Sequence, residues 1–116
     1  MSLDYVEIDL DRPRKIRFAF RDLRDLEART GGLAFQDILV RMGALHFSTV
    51  LQALYVGLRS EDKKMTPART EELIEAHLEK GRPLSALLNA VMEAFELSGV
   101  VSRRDGQPEG DEARPT

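Results

Sequence analysis

The chain contains no cysteine. That absence removes disulfides, thiolate nucleophiles, iron–sulfur clusters and cysteine-type zinc sites from consideration. No run of about 18 apolar residues occurs, so no transmembrane helix is expected. The first residues lack the charged-then-apolar pattern of a signal peptide, and the expected location is the cytoplasm. An excess of positive charge is missing too. The net charge of −3 argues against a nucleic-acid protein, because phosphate binding needs a concentrated basic surface. No polybasic segment offers a hold on an anionic membrane. Neither GxxxxGK[ST] nor GxGxxG is present, so Gly31-Gly32 is not a phosphate loop.

What the chain does have is rhythm. Its 116 residues are 42% hydrophobic and 32% charged, which suits one globular domain. Such a chain buries about 65% of its unfolded surface. Val6, Ile8 and Leu10 alternate with Glu7 and Asp9, while Ile16, Phe18 and Phe20 alternate with Arg17 and Ala19. A period of two marks strands with one buried face, and DRPR between them marks a turn. The expectation is a β-hairpin over residues 5–20, with Leu10 opposite Ile16 and Ile8 opposite Phe18. That register also sets Asp9 against Arg17 and Asp11 against Lys15. At Phe20 the spacing lengthens, to Leu23 and Leu26, which announces a helix. Phe20 is expected to finish the buried strand face and begin the buried helix face.

Helical stripes continue along the chain. Gly31 and Gly32 stop the first helix. Phe35, Ile38, Leu39 and Met42 mark a short second one, ended by Gly43. Phe47, Val50, Leu51, Leu54, Tyr55 and Leu58 form a longer stripe. Thr66-Pro67 predicts a helix start with the hydroxyl as N-cap and proline at the first position. That helix turns Leu73, Ile74, His77 and Leu78 inward and Glu71, Glu72, Glu75 and Glu79 mostly outward, and Gly81 closes it. Pro83 begins a last helix with Leu84, Leu87, Leu88, Val91, Met92 and Phe95 on one side. The fold class is therefore α+β, mainly α: an N-terminal hairpin packed on about five short helices, over residues 1–101. Residues 102–116 carry no large apolar side chain and are expected to be a disordered polar tail.

Side chains for chemistry are sparse. His46 and His77 lack companions for a metal site and suit cap or core roles. Glu71, Glu75 and Glu79, spaced by four, mark a solvated helix face rather than paired catalytic acids. Ser48 and Ser85 have no partners for nucleophilic work. No enzymatic activity, cofactor or bound metal is expected. Between Arg12 and Arg24 lie six basic residues and one acid, whereas residues 1–11 hold four acids and no base. The hairpin brings these segments together, so much of that positive charge should be answered locally. What remains open is a nucleic-acid-binding regulator built on Arg12–Arg24, or a structural component.

The apolar stripes read chiefly as core. Met42, Phe47, Tyr55 and Met92 stand apart as candidate partner-binding residues, because methionines and aromatics suit adaptable surfaces. The number of stripes also suggests self-association.

The order of elements, together with Leu23, Leu26, Glu27 and Gly31 in FRDLRDLEARTGG and with Leu73 and Ile74 after the Thr66-Pro67 start, resembles the tail assembly chaperones of long-tailed bacteriophages and gene transfer agents. The resemblance spans roughly residues 5–101. It implies a small non-catalytic protein of the bacterial host cytoplasm that keeps the tape-measure protein soluble and recruits tail-tube subunits. It further implies a homo-oligomer, and a longer product made by a translational frameshift.

Overall fold

Why the chain folds back so early is visible in its first ladder. In the computed structural model, which describes residues 5–100, β1 (Val6–Asp9) pairs antiparallel with β2 (Pro13–Ile16). Five helices follow: α1 (Phe20–Arg29), α2 (Phe35–Gly43), α3 (Phe47–Leu58), α4 (Pro67–Glu79) and α5 (Leu84–Leu97). The α+β, mainly helical class expected from the period change is the one observed. The expected polar tail, 102–116, lies outside the described residues.

The hairpin register differs from the expected one. Val6 faces Ile16, Glu7 faces Lys15, Ile8 faces Arg14 and Asp9 faces Pro13. The turn comes two residues earlier than expected: Leu10 N–H donates to the Arg12 carbonyl at 3.1 Å, and Pro13 already belongs to β2. Proline is tolerated there as the first residue of a strand. The parity of the pairing is unchanged, so Val6, Leu10, Ile16 and Phe18 still share the buried face. Arg14, now within β2 and two residues before Ile16, lies on that face as well and is only 5% exposed.

A buried guanidinium needs acceptors. Arg14 Nε and Nη2 donate to the two carboxylate oxygens of Asp11 at 2.8 Å each, and its Nη1 donates to Asp62 Oδ2 at 2.8 Å. Asp11 also accepts from Arg69 Nη2 of α4 at 3.1 Å. One charged cluster therefore ties the hairpin turn to the α3–α4 link and to α4.

Phe20 is not the shared core residue expected of it: its ring is 73% exposed. The strand ends at Ile16, an extended link follows, and Phe20 is the first residue of α1. Side chains lean toward a helix's N-terminus, so a first-turn ring projects off the end rather than onto the neighbouring helix. Phe18 takes the place instead, stacking on Phe95 of α5 with ring centroids 4.6 Å apart, and Phe35 meets the same ring edge-on at 4.9 Å. Leu23 and Leu26 carry the buried side of α1.

Termini follow local chemistry. Asp22 Oδ2 accepts the Ala19 N–H at 2.8 Å ahead of α1, and Gly31 and Gly32, both at φ +82°, end it. Glu27 Oε2 then accepts the Phe35 N–H at 3.1 Å, joining α1 to the start of α2. Thr66 Oγ1 accepts the Arg69 N–H at 3.0 Å with Pro67 at the first helical position, as the sequence predicts. The α2–α3 turn departs from expectation. Gly43 stays helical, and the left-handed residue is Leu45 at φ +60°.

Helix α3 is the centre of the molecule, packed against all four other helices and β2. Its burial wraps around most of its circumference, Val50, Ala53, Leu54, Val56 and Leu58 all being nearly inaccessible. Gly57 lets it approach the hairpin: a Cβ there would lie 2.6 Å from Ile16 Cγ2 and 3.0 Å from the Phe18 ring. The Gly57 carbonyl accepts the Arg17 N–H at 3.2 Å, extending the β2 edge onto the helix.

Two predictions follow from this packing. In an open helix, glycine to alanine gains about 1 kcal/mol. Gly57→Ala should instead destabilise the protein by about 1–3 kcal/mol, because Ile16 and Phe18 must move. Urea unfolding measures it, and a more stable variant would refute the close contact. The second concerns acid. Hydrogen bonds from Arg14 hold Asp11 and Asp62 below the ordinary carboxylate value, and the bond from Arg29 does the same for Asp25. Depressed carboxylates contribute stability that is fully present above an unfolded value of about 3.9 and is lost as pH falls through the lower folded values. Stability measured in urea should therefore hold steady above about pH 4 and decline below it. Arg14→Met should make that decline shallower; an unchanged slope would show that Arg14 does not hold the pair.

Candidate functional site

The two histidines are structural in their contacts. His77 is buried, and its Nε2 donates to the Pro83 carbonyl at 2.9 Å, bridging α4 to the start of α5. His46 precedes α3, with Nδ1 2.8 Å from Thr49 Oγ1 and Nε2 3.4 Å from an Arg41 guanidinium nitrogen. Since arginine can only donate, Nε2 accepts and Nδ1–H donates to the threonine. Among the described residues, no three His, Asp or Glu side chains converge into a group that could hold a metal ion. Among them, too, no single helix is long and apolar enough to cross a membrane.

The four candidate partner-binding residues are not brought together. Met42 is 1% exposed, in the core beneath α2, because position 42 continues the inward stripe of Ile38. Tyr55 is 9% exposed, with the guanidinium groups of Arg29 and Arg59 against its ring at 4.8 Å and 5.5 Å from the centroid. Met92 is half-buried at the edge of the core. Neither Met42 nor Tyr55 offers a free surface in this conformation. Phe47 does, at 70% exposure.

Phe47 stands at the mouth of an apolar groove of about 300 Å³, formed where the start of α3 passes α4 and the start of α5. Val50 and Leu51 of α3, Ile74 and Leu78 of α4 and Leu84 of α5 line it. Glu71 and Glu75 stand along its α4 wall. Leu78, expected to face inward, is 44% exposed here, because α4 rests on α3 through Leu73 and His77 and leaves the neighbouring stripe uncovered. Sequence reasoning missed Ile74, Leu78 and Leu84 as surface-forming residues. The available signal was the Ile74–Leu78 pair at i, i+4 alternating with Glu71 and Glu75, an apolar strip bounded by charge.

A second concavity, of about 360 Å³, opens at the other end of α3. Arg17 from the β2–α1 link, Arg21 from the first turn of α1, Arg59 at the end of α3 and Lys63 from the following loop line it. Asp22 lies within it, accepting from Arg59 Nη2 at 3.4 Å, and Arg59 Nη1 also reaches Asp25 at 2.7 Å. Local neutralisation of the Arg12–Arg24 segment is thus uneven. Arg14 is fully paired and Lys15 faces Glu7 and covers the Tyr5 ring at 4.5 Å, whereas Arg17 and Arg21 form no ion pair among the described residues.

Comparison of the chain with protein-family models, with curated proteins and with solved structures finds no match.

Proposed function

We propose that this protein is a tail assembly chaperone of a long-tailed bacteriophage or gene transfer agent, holding apolar helical segments of the tape-measure protein in the α3–α4–α5 groove. The observation that carries the reading is the groove itself, with Phe47 and Leu78 presented at its rim. Exposed rings and leucines around an apolar concavity suit one face of an amphipathic helix. Glu71 and Glu75 beside it favour a helix whose apolar stripe is flanked by lysine or arginine. A tape-measure chain exposes long apolar helix faces before the tail tube encloses it. Many shallow contacts of this kind add along a long chain while each stays easy to displace by incoming tube subunits. In this reading the groove, not Met42, Tyr55 or Met92, supplies the contact, with Phe47 retained from the sequence-derived set.

The α2–α3 corner supports self-association of the chaperone in the host cytoplasm. Val40 and Leu45 are 66% and 46% exposed, and Leu45 holds an uncommon left-handed conformation. Such a corner offers a patch that a second copy could cover.

Co-expression tests the main reading. The tape-measure protein of the same phage or agent should be soluble with the wild-type chain. It should aggregate with a Phe47→Glu, Leu78→Glu variant whose circular dichroism and melting match wild type. Aggregation in the presence of the wild-type chain would sink the chaperone reading; solubility with the double variant would move the site elsewhere. For self-association, sedimentation at micromolar concentrations should show oligomers that Val40→Lys with Leu45→Lys disperses. A wild-type chain that stays monomeric at several hundred micromolar would end that part of the proposal.

A further inference from the structure

The basic cleft at the C-terminal end of α3 is not used by the groove, and its charges are not all accounted for. Arg59 is spent on Asp22 and Asp25. Asp22 is in turn occupied by Arg59 and by the Ala19 N–H. Arg17, Arg21 and Lys63 remain, converging on one concavity from three separate segments and forming no ion pair among the described residues. Like charges brought together this way repel one another, so an anion seated among them relieves the repulsion and gains charge-assisted hydrogen bonds. Phe20, which stands in sequence between the lining residues Ala19 and Arg21, is 73% exposed.

We propose that this cleft is a second binding site, taking a short acidic protein segment whose carboxylates meet Arg17, Arg21 and Lys63 while an adjoining apolar side chain covers Phe20. Three features favour a peptide over nucleic acid. The positive field is small and hemmed in: Asp25, Glu61 and Asp62 lie on the neighbouring elements, and a continuous phosphate backbone would run onto them. The chain as a whole is negative, at −3. Tyr55, the aromatic residue of the cleft, is buried and already covered by the guanidiniums of Arg29 and Arg59, so it offers no platform for a base. An acidic segment with a neighbouring leucine or phenylalanine needs only a compact positive pocket and one exposed ring.

Fluorescence anisotropy with the full chain decides the matter, using a labelled peptide of alternating glutamate and leucine, the same peptide with glutamine for glutamate, and a single-stranded oligothymidine. The acidic peptide should bind, the glutamine peptide should not, and affinity should fall as salt rises. Arg21→Glu and Lys63→Glu, both at exposed positions, should each weaken acidic-peptide binding about tenfold or more, as expected when a charge-pairing partner is reversed. Arg24→Glu makes the same charge change on exposed α1 surface outside the cleft and should leave binding nearly unchanged. Phe47→Glu should also leave it unchanged, which separates this site from the groove. Equal loss in Arg24→Glu, or no loss in Arg21→Glu and Lys63→Glu, overturns the proposal. So does oligothymidine that binds more tightly than the acidic peptide and depends on the same residues, since the cleft would then be a nucleic-acid site.

Discussion

Everything in this fold leans on how closely α3 passes the hairpin. A two-stranded hairpin is marginal alone, and its apolar face needs a cover. Gly57 permits that cover at backbone distance, so Ile16 and Phe18 press directly on the helix and the Arg17 amide bonds to a helix carbonyl. With α3 seated there, its remaining sides become the surface on which α1, α2, α4 and α5 pack. A side chain at that one position would push the centre of the molecule away from the β1–β2 hairpin.

Charge then decides how the outer elements are held. Arg14 is buried at the cost of its hydration, and it is tolerable because three short hydrogen bonds to Asp11 and Asp62 replace the lost water. Arg59 plays a comparable part at the end of α3, joining Asp22 and Asp25 of α1 while covering Tyr55. Of the cations lining the cleft, Arg17, Arg21 and Lys63 form no ion pair among the described residues.

Helix α3 also separates the two concavities. The apolar groove opens around Phe47 at its first turn, and the basic cleft lies around Arg59 at its end, about 18 Å away along a helix of 12 residues. Two partners of opposite character, a basic amphipathic helix and an acidic segment, could be held by one small domain without competing.

Much of the plan was legible in the residues. The switch of period near Phe20, the paired glycines after α1 and the Thr66-Pro67 start of α4 each express a local rule, and local rules survive folding. The absence of cysteine likewise settled which chemistries were closed. What could not be read locally was decided by tertiary contact. The hairpin turns two residues earlier than expected, and in that register Arg14 meets Asp62, a partner 48 residues away. Phe20 lost its core place because a first-turn side chain points off the helix end. Met42 and Tyr55 went inward while Leu78 came outward, since an apolar stripe says which residues avoid water but not which of them a neighbour will cover. Spacing alone chose the helices; only the packing of α3 against the hairpin and α4 decided which apolar and basic side chains were left facing solvent.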